Sequence, residues 1–104
     1  MEYLQESVVE RRAARRVPVR RTITIRSAER EWSAFCLDAS LSGLGVWSEE
    51  PVSPGRVLTA GFRQGEESFE IEAEVVRCED SKPALLGMRI TRVHPRLFAL
   101  LNVA

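Results

Sequence analysis

Two clusters of side chains in this sequence could do chemistry. In Arg11-Arg12-Ala13-Ala14-Arg15-Arg16, guanidiniums recur four residues apart. On a helical turn that spacing puts two on one face; on an irregular hinge they could converge from two sides. Either way, two arginines could grip one ligand. The second cluster is Asp38-Ala39-Ser40-Leu41-Ser42-Gly43-Leu44-Gly45. Here a carboxylate and a hydroxyl two residues apart can point the same way, and Gly43 and Gly45 permit positive φ or close backbone approach. Arginine matches guanine O6 and N7 and pairs with phosphates. A carboxylate such as Asp38 can accept from guanine N1–H and the N2 amino group. The clusters are chemically complementary halves of a guanine-nucleotide site.

Other chemistries find little support. The single histidine, His94, directly precedes Pro95, where capping of a helix accounts for it. Cys36 and Cys78 have no C-x-x-C spacing and lie in strand-like stretches, where a free thiol acts as a small buried hydrophobe. No metal-ligand spacing, phosphate-binding P-loop or dinucleotide fingerprint occurs, so no enzymatic activity and no cofactor are expected.

The elements that must position the two clusters fit one small domain. The chain has 104 residues, 44% of them hydrophobic and 29% charged. No run approaches the roughly 20 apolar residues of a membrane span. Nor does the N-terminus show the apolar core of a secretory signal, so the expected compartment is the cytosol. A net charge of zero conceals an asymmetry: residues 11–30 hold eight Arg against Glu29 alone, whereas residues 31–104 hold seven bases and eleven acids. An anionic partner would therefore be met near the N-terminus.

Residues 1–10 read as an arm, frayed or briefly helical, leading into an Arg-dense hinge; 11–104 read as the domain. Val17 and Val19 and, after a slip, Ile23 and Ile25 alternate with polar residues as a half-buried strand does. Further strands are expected at Trp32–Leu37, Leu44–Ser48 and Val57–Phe62, then along Phe69-x-Ile71-x-Ala73-x-Val75, and finally at Leu85–Thr91. The tract from Asp38 to Gly43 looks too polar and turn-prone to continue the second strand. Gln64-Gly65-Glu66 signals a tight hairpin. Pro95 opens a short helix with Leu97, Phe98, Leu100 and Leu101 as its apolar stripe. Six strands with closely spaced turns predict an all-β fold, a small antiparallel barrel capped by a C-terminal helix and preceded by a flexible Arg-rich arm.

The joint pattern resembles the PilZ domain, a bacterial receptor module for cyclic di-GMP. Its signature is R-x-x-x-R on an N-terminal hinge followed by [D/N]-x-S-x-x-G at the barrel. Arg12 and Arg16 match the first motif, running into Val17-Pro18-Val19, with Arg11 and Arg15 as an alternative register. Asp38, Ser40 and Gly43 match the second, extended by Gly45. Ala73-Glu74-Val75-Val76-Arg77 and Leu86-Gly87-Met88-Arg89-Ile90 resemble the closing strands, although an aromatic often stands where Ile90 does. The resemblance implies a six-stranded barrel with a C-terminal helix. It implies that the arginines hold phosphates and guanine faces while Asp38 and Ser40 hold a base. It further implies a stand-alone receptor that relays the signal to a protein partner in trans. Arg11, just before the motif, implies two nucleotides per chain. A PilZ-like interaction module that binds no nucleotide is one alternative reading. A nucleic-acid-binding barrel, which would need Trp32 and Trp47 exposed among basic residues, is another; neither nucleic acid nor membrane is the expected partner.

Overall fold

The computed structural model describes residues 16–101; the N-terminal arm, with Arg11, Arg12 and Arg15, lies outside them. Six strands and one helix follow in order: β1 (Val17–Arg26), β2 (Glu31–Ala39), β3 (Gly43–Ser48), β4 (Val57–Gln64), β5 (Glu67–Glu79), β6 (Ala84–Arg92) and α1 (Arg96–Leu100). All neighbours pair antiparallel, and the sheet closes in the order β1-β2-β3-β6-β5-β4. This is the barrel and terminal helix expected from the sequence.

Period-two alternation decides which side chains fill the barrel. Phe69, Ile71, Ala73 and Val75 of β5 are buried, whereas Glu70 is exposed and Glu72 and Glu74 are only partly covered. Leu44 and Val46 of β3 point inward, which turns Gly43, Gly45 and Trp47 outward. The hairpin after β4 is the expected one, with Gly65 at φ 66° in its first central position, as a type II′ turn requires. The helix and its C-cap residue contribute Leu97 and Leu101 to the core, with Leu100 packed against it. Burying each of these leucines contributes about 1.5–3 kcal/mol. Phe98, expected in the same stripe, is 42% exposed instead. The five-residue helix and its C-cap offer the barrel one narrow face, carrying positions 97 and 101, and residue 98 is turned away from it. His94 does support the helix start: its Nδ1 accepts the Arg96 N–H at 3.1 Å, and its ring stacks on Phe69.

Two irregularities position the candidate site. In β1 the pairing shifts between Pro18 and Arg21, with Arg20 at φ 53°; the irregularity lies in the backbone register, since Val17, Val19, Ile23 and Ile25 keep one parity through it. In β2 the pairing with β3 shifts between Cys36 and Asp38. Cys36 faces the core, so a regular strand would send Asp38 inward as well. The extra residue, Leu37, acts as a bulge and returns Asp38 to the outer face. It also explains why β2 reaches Ala39 rather than ending at Leu37 as expected: the alternation is broken at the bulge, but the ladder continues as Asp38↔Gly45 and Ala39↔Leu44.

Candidate nucleotide site

Asp38, Gly45, Gly87 and Arg77 form one cross-strand row on the outside of the barrel, through the pairs Asp38↔Gly45, Gly45↔Gly87 and Arg77↔Gly87. Three strand spacings of about 4.8 Å make the row about 14 Å long. Its two central positions have no side chain. The Asp38 carboxylate occupies the room over Gly45: a Cβ on that glycine would stand 2.6 Å from Asp38 Oδ1. At the other end the Arg77 side chain lies against Gly87, with Nη2 3.5 Å from where a Cβ would be. Gly43, one step further along β3, lets β6 approach, because a Cβ there would meet the Met88 carbonyl at 2.9 Å. Among the described residues positive φ in glycine occurs at Gly55 and Gly65. Gly43 and Gly45 therefore serve close approach rather than a left-handed turn.

Arg16 reaches this row from the residue before β1. Its Nη1 donates to Asp38 Oδ1 at 3.0 Å, and both side chains remain substantially exposed, 48% and 39%. An ion pair in that setting contributes at most about 1 kcal/mol to stability. Its consequence is orientation: a guanidinium and a carboxylate are held side by side over Gly45, which has no side chain of its own.

Ser40 lies elsewhere than the open face. It is 1% exposed, and its hydroxyl accepts the N–H groups of Ser42 and Gly43, each at 3.1 Å, while the Ser40 N–H donates to the Gly43 carbonyl at 2.9 Å. Asp-x-Ser-x-x-Gly thus reads locally as a strand end, a hydroxyl-closed turn and the start of the next strand. The serine fixes the turn on which Asp38 and Gly45 face each other.

The structure brings together four of the site residues expected from the sequence, Arg16, Asp38, Gly43 and Gly45, and sets Ser40 beneath them. Arg11, Arg12 and Arg15 fall outside the described residues. Arg77 and Gly87 belong to the same row, although the sequence reading gave them no site role. The signal lay in the closing hairpin, whose register pairs the Arg of one strand with the Gly of the next.

Both cysteines are free. Cys36 is fully buried, and desolvation, with the Asp38 charge second, pushes its thiol up to about 12. Trp32 packs against the core and donates its indole N–H to Ser48 Oγ at 2.9 Å. That removes it from the exposed aromatic surface a nucleic-acid reading requires. No described helix is long and apolar enough to cross a membrane.

The PilZ domain family model matches residues 10–102. No curated protein matches the sequence. Among solved structures, PlzA of Borreliella burgdorferi in complex with c-di-GMP superposes with a TM-score of 0.73 at 15% identity, over 97% of this chain and 44% of its own. The inhibitor of motility MotI/DgrA of Bacillus subtilis gives 0.65 at 23% identity, over 84% of this chain and 46% of its own. The PilZ domain of CeSA from a cellulose-synthesising bacterium gives 0.66 at 14%, over 86% and 93%. This chain therefore spans less than half the length of PlzA or MotI/DgrA, and at such identities the likeness speaks to the fold. With the family model covering nearly the whole sequence, the chain belongs to the PilZ domain family.

Proposed function

We propose that this protein is a non-enzymatic receptor for cyclic di-GMP that passes the signal to a protein partner in trans. The observation that carries the reading is the Arg16–Asp38 pair held over Gly45. Asp38 offers the carboxylate that accepts guanine N1–H and N2–H, and Arg16 offers a guanidinium for O6, N7 or phosphate. Arg77, at the far end of the glycine row, supplies a second cation. The same dinucleotide bound to PlzA, a structure with this fold, supports the ligand class. Arg12 completes the first motif with Arg16, and Arg11 and Arg15 add charge beside it in the sequence. Because the Arg16–Asp38 pair is exposed, exchanging it for ligand contacts costs little. The hinge is then tied to the barrel through the nucleotide, and this rearrangement is what a partner would sense.

Titration calorimetry with cyclic di-GMP, GTP and a mixed single-stranded oligonucleotide tests the reading. Cyclic di-GMP should bind and the other two should not. Equal binding of GTP, or no binding of cyclic di-GMP, would overturn it. Asp38→Ala should weaken cyclic di-GMP by about ten-fold or more and its adenine counterpart far less, since only guanine offers the N1–H and N2 donors. Equal losses for both would reduce Asp38 to a structural role.

A further inference from the structure

The row next to the glycines differs sharply in character. Phe35↔Trp47 and Trp47↔Leu85 continue across the same strands, one pleat repeat from Asp38–Gly45–Gly87. Val46 and Leu86 between the two rows are buried, so Trp47 and Leu85 stand on the same outer face as Gly45 and Gly87. Phe35 is 39% exposed and Trp47 is half-buried, and its cross-strand neighbours are Phe35 and Leu85. On the opposite side of the glycines, Arg89 pairs with Glu74. The glycine row thus runs along a shallow trough between aromatic side chains on one side and an ion pair on the other, with the Asp38 carboxylate lying over Gly45 and the Arg77 side chain over Gly87. Asp38 with Arg16 closes one end and Arg77 the other.

Such a trough suits a flat, polar-edged ring standing on its edge. Residues two apart on a strand are separated by about 6.7 Å, roughly twice the thickness of a stacked aromatic ring. One planar base therefore fits between the Trp47 wall and the axis of the row, with its hydrogen-bonding edge directed along the row toward Asp38. We infer that Trp47 is a ligand-binding residue, the apolar face on which a purine of the bound nucleotide stacks. This rests on the cyclic di-GMP reading above and adds a division of labour to it. Asp38 selects guanine by its edge, whereas Trp47 holds any purine by its face.

The test is a titration of cyclic di-GMP into the parent, Trp47→Leu and Trp47→Phe proteins, followed by calorimetry and by tryptophan emission. Base–aromatic stacking predicts a loss of about ten-fold or more in affinity for Trp47→Leu. Trp47→Phe, which keeps a ring, should stay within about three-fold of the parent. Emission should be quenched on saturation in the parent and unchanged in Trp47→Phe, where Trp32 is the remaining indole. This readout comes from folded, binding-competent protein and does not depend on Trp47→Leu being stable. Parent-like affinity in a folded Trp47→Leu, or quenching that persists in Trp47→Phe, would overturn the stacking role while leaving the receptor reading intact. Absence of cyclic di-GMP binding by the parent would overturn both.

Discussion

At the scale of single residues, the two glycines of the second motif do different work, and substitution should separate them. A Cβ on Gly43 meets a backbone carbonyl, which cannot move without shifting β6; a Cβ on Gly45 meets the end of the Asp38 side chain, which can swing away. Gly43→Ala should therefore lower stability by about 1–3 kcal/mol, as overpacking does, and thermal melting reads it. Gly45→Ala should melt near the parent temperature yet bind cyclic di-GMP at least about ten-fold more weakly, because the displaced carboxylate no longer meets the guanine edge. The reverse pattern would mean that the Asp38–Gly45 contact is structural. Cys36 allows a pH prediction. Its folded thiol is pushed up to about 12, whereas an exposed thiol ionises near 8.5, so above that pH the unfolded state loses a proton that the folded state keeps. Stability should then fall with rising pH between about 9 and 11, by up to about 1.4 kcal/mol per unit from this residue. Cys36→Ala, though less stable throughout, should show a shallower fall in denaturant titrations across that range. The Asp38 carboxylate and its glycines were legible from residue types alone. The direction in which Asp38 points was not, because it depends on the bulge at Leu37.

At the scale of elements, the buried hydroxyl of Ser40 closes the turn between β2 and β3. Ser40→Ala leaves the buried Gly43 N–H without its side-chain acceptor and the Ser42 N–H, on an exposed residue, to water. Unsatisfied buried donors cost about 1–3 kcal/mol, so the melting temperature should drop, and binding should weaken indirectly as Asp38 and Gly45 lose their alignment. Rescue by Thr, which retains the acceptor, separates this from a direct ligand contact. A melting temperature equal to the parent's would show that the turn does not depend on the hydroxyl. Strand identity was largely readable from alternation, most clearly in β5, but the β1 irregularity was not, because Val17, Val19, Ile23 and Ile25 keep one parity across it. Alternation fails where an extra residue resets the pleat, which is why β2 read as ending at Leu37 and runs on to Ala39. The helix misled for a different reason. Apolar residues at 97, 98, 100 and 101 do not reveal which of them the barrel mouth admits, and the choice against Phe98 is made by tertiary packing.

At the scale of the whole molecule, the basic side chains are concentrated toward one end of the chain. Eight arginines fall within residues 11–30, while the remainder of the domain carries an excess of acid. A single cyclic di-GMP brings two phosphate charges, and an intercalated pair brings four. Holding the pair calls for more cationic side chains than one molecule does, since each desolvated phosphate needs its own charge-assisted partners. Arg16 and Arg77 flank the glycine row, and Arg12 completes the first motif, which is a set suited to one molecule. Arg11 and Arg15 are the surplus, and Arg11 immediately precedes the motif. The expected stoichiometry is therefore two nucleotides per chain. Replacing Arg11 by Leu preserves much of the stem's bulk and removes the charge, so that variant should bind closer to one. Calorimetric titration of both proteins at matched ionic strength measures this directly. One nucleotide per chain in the parent, or two in both proteins, would remove Arg11 from the site.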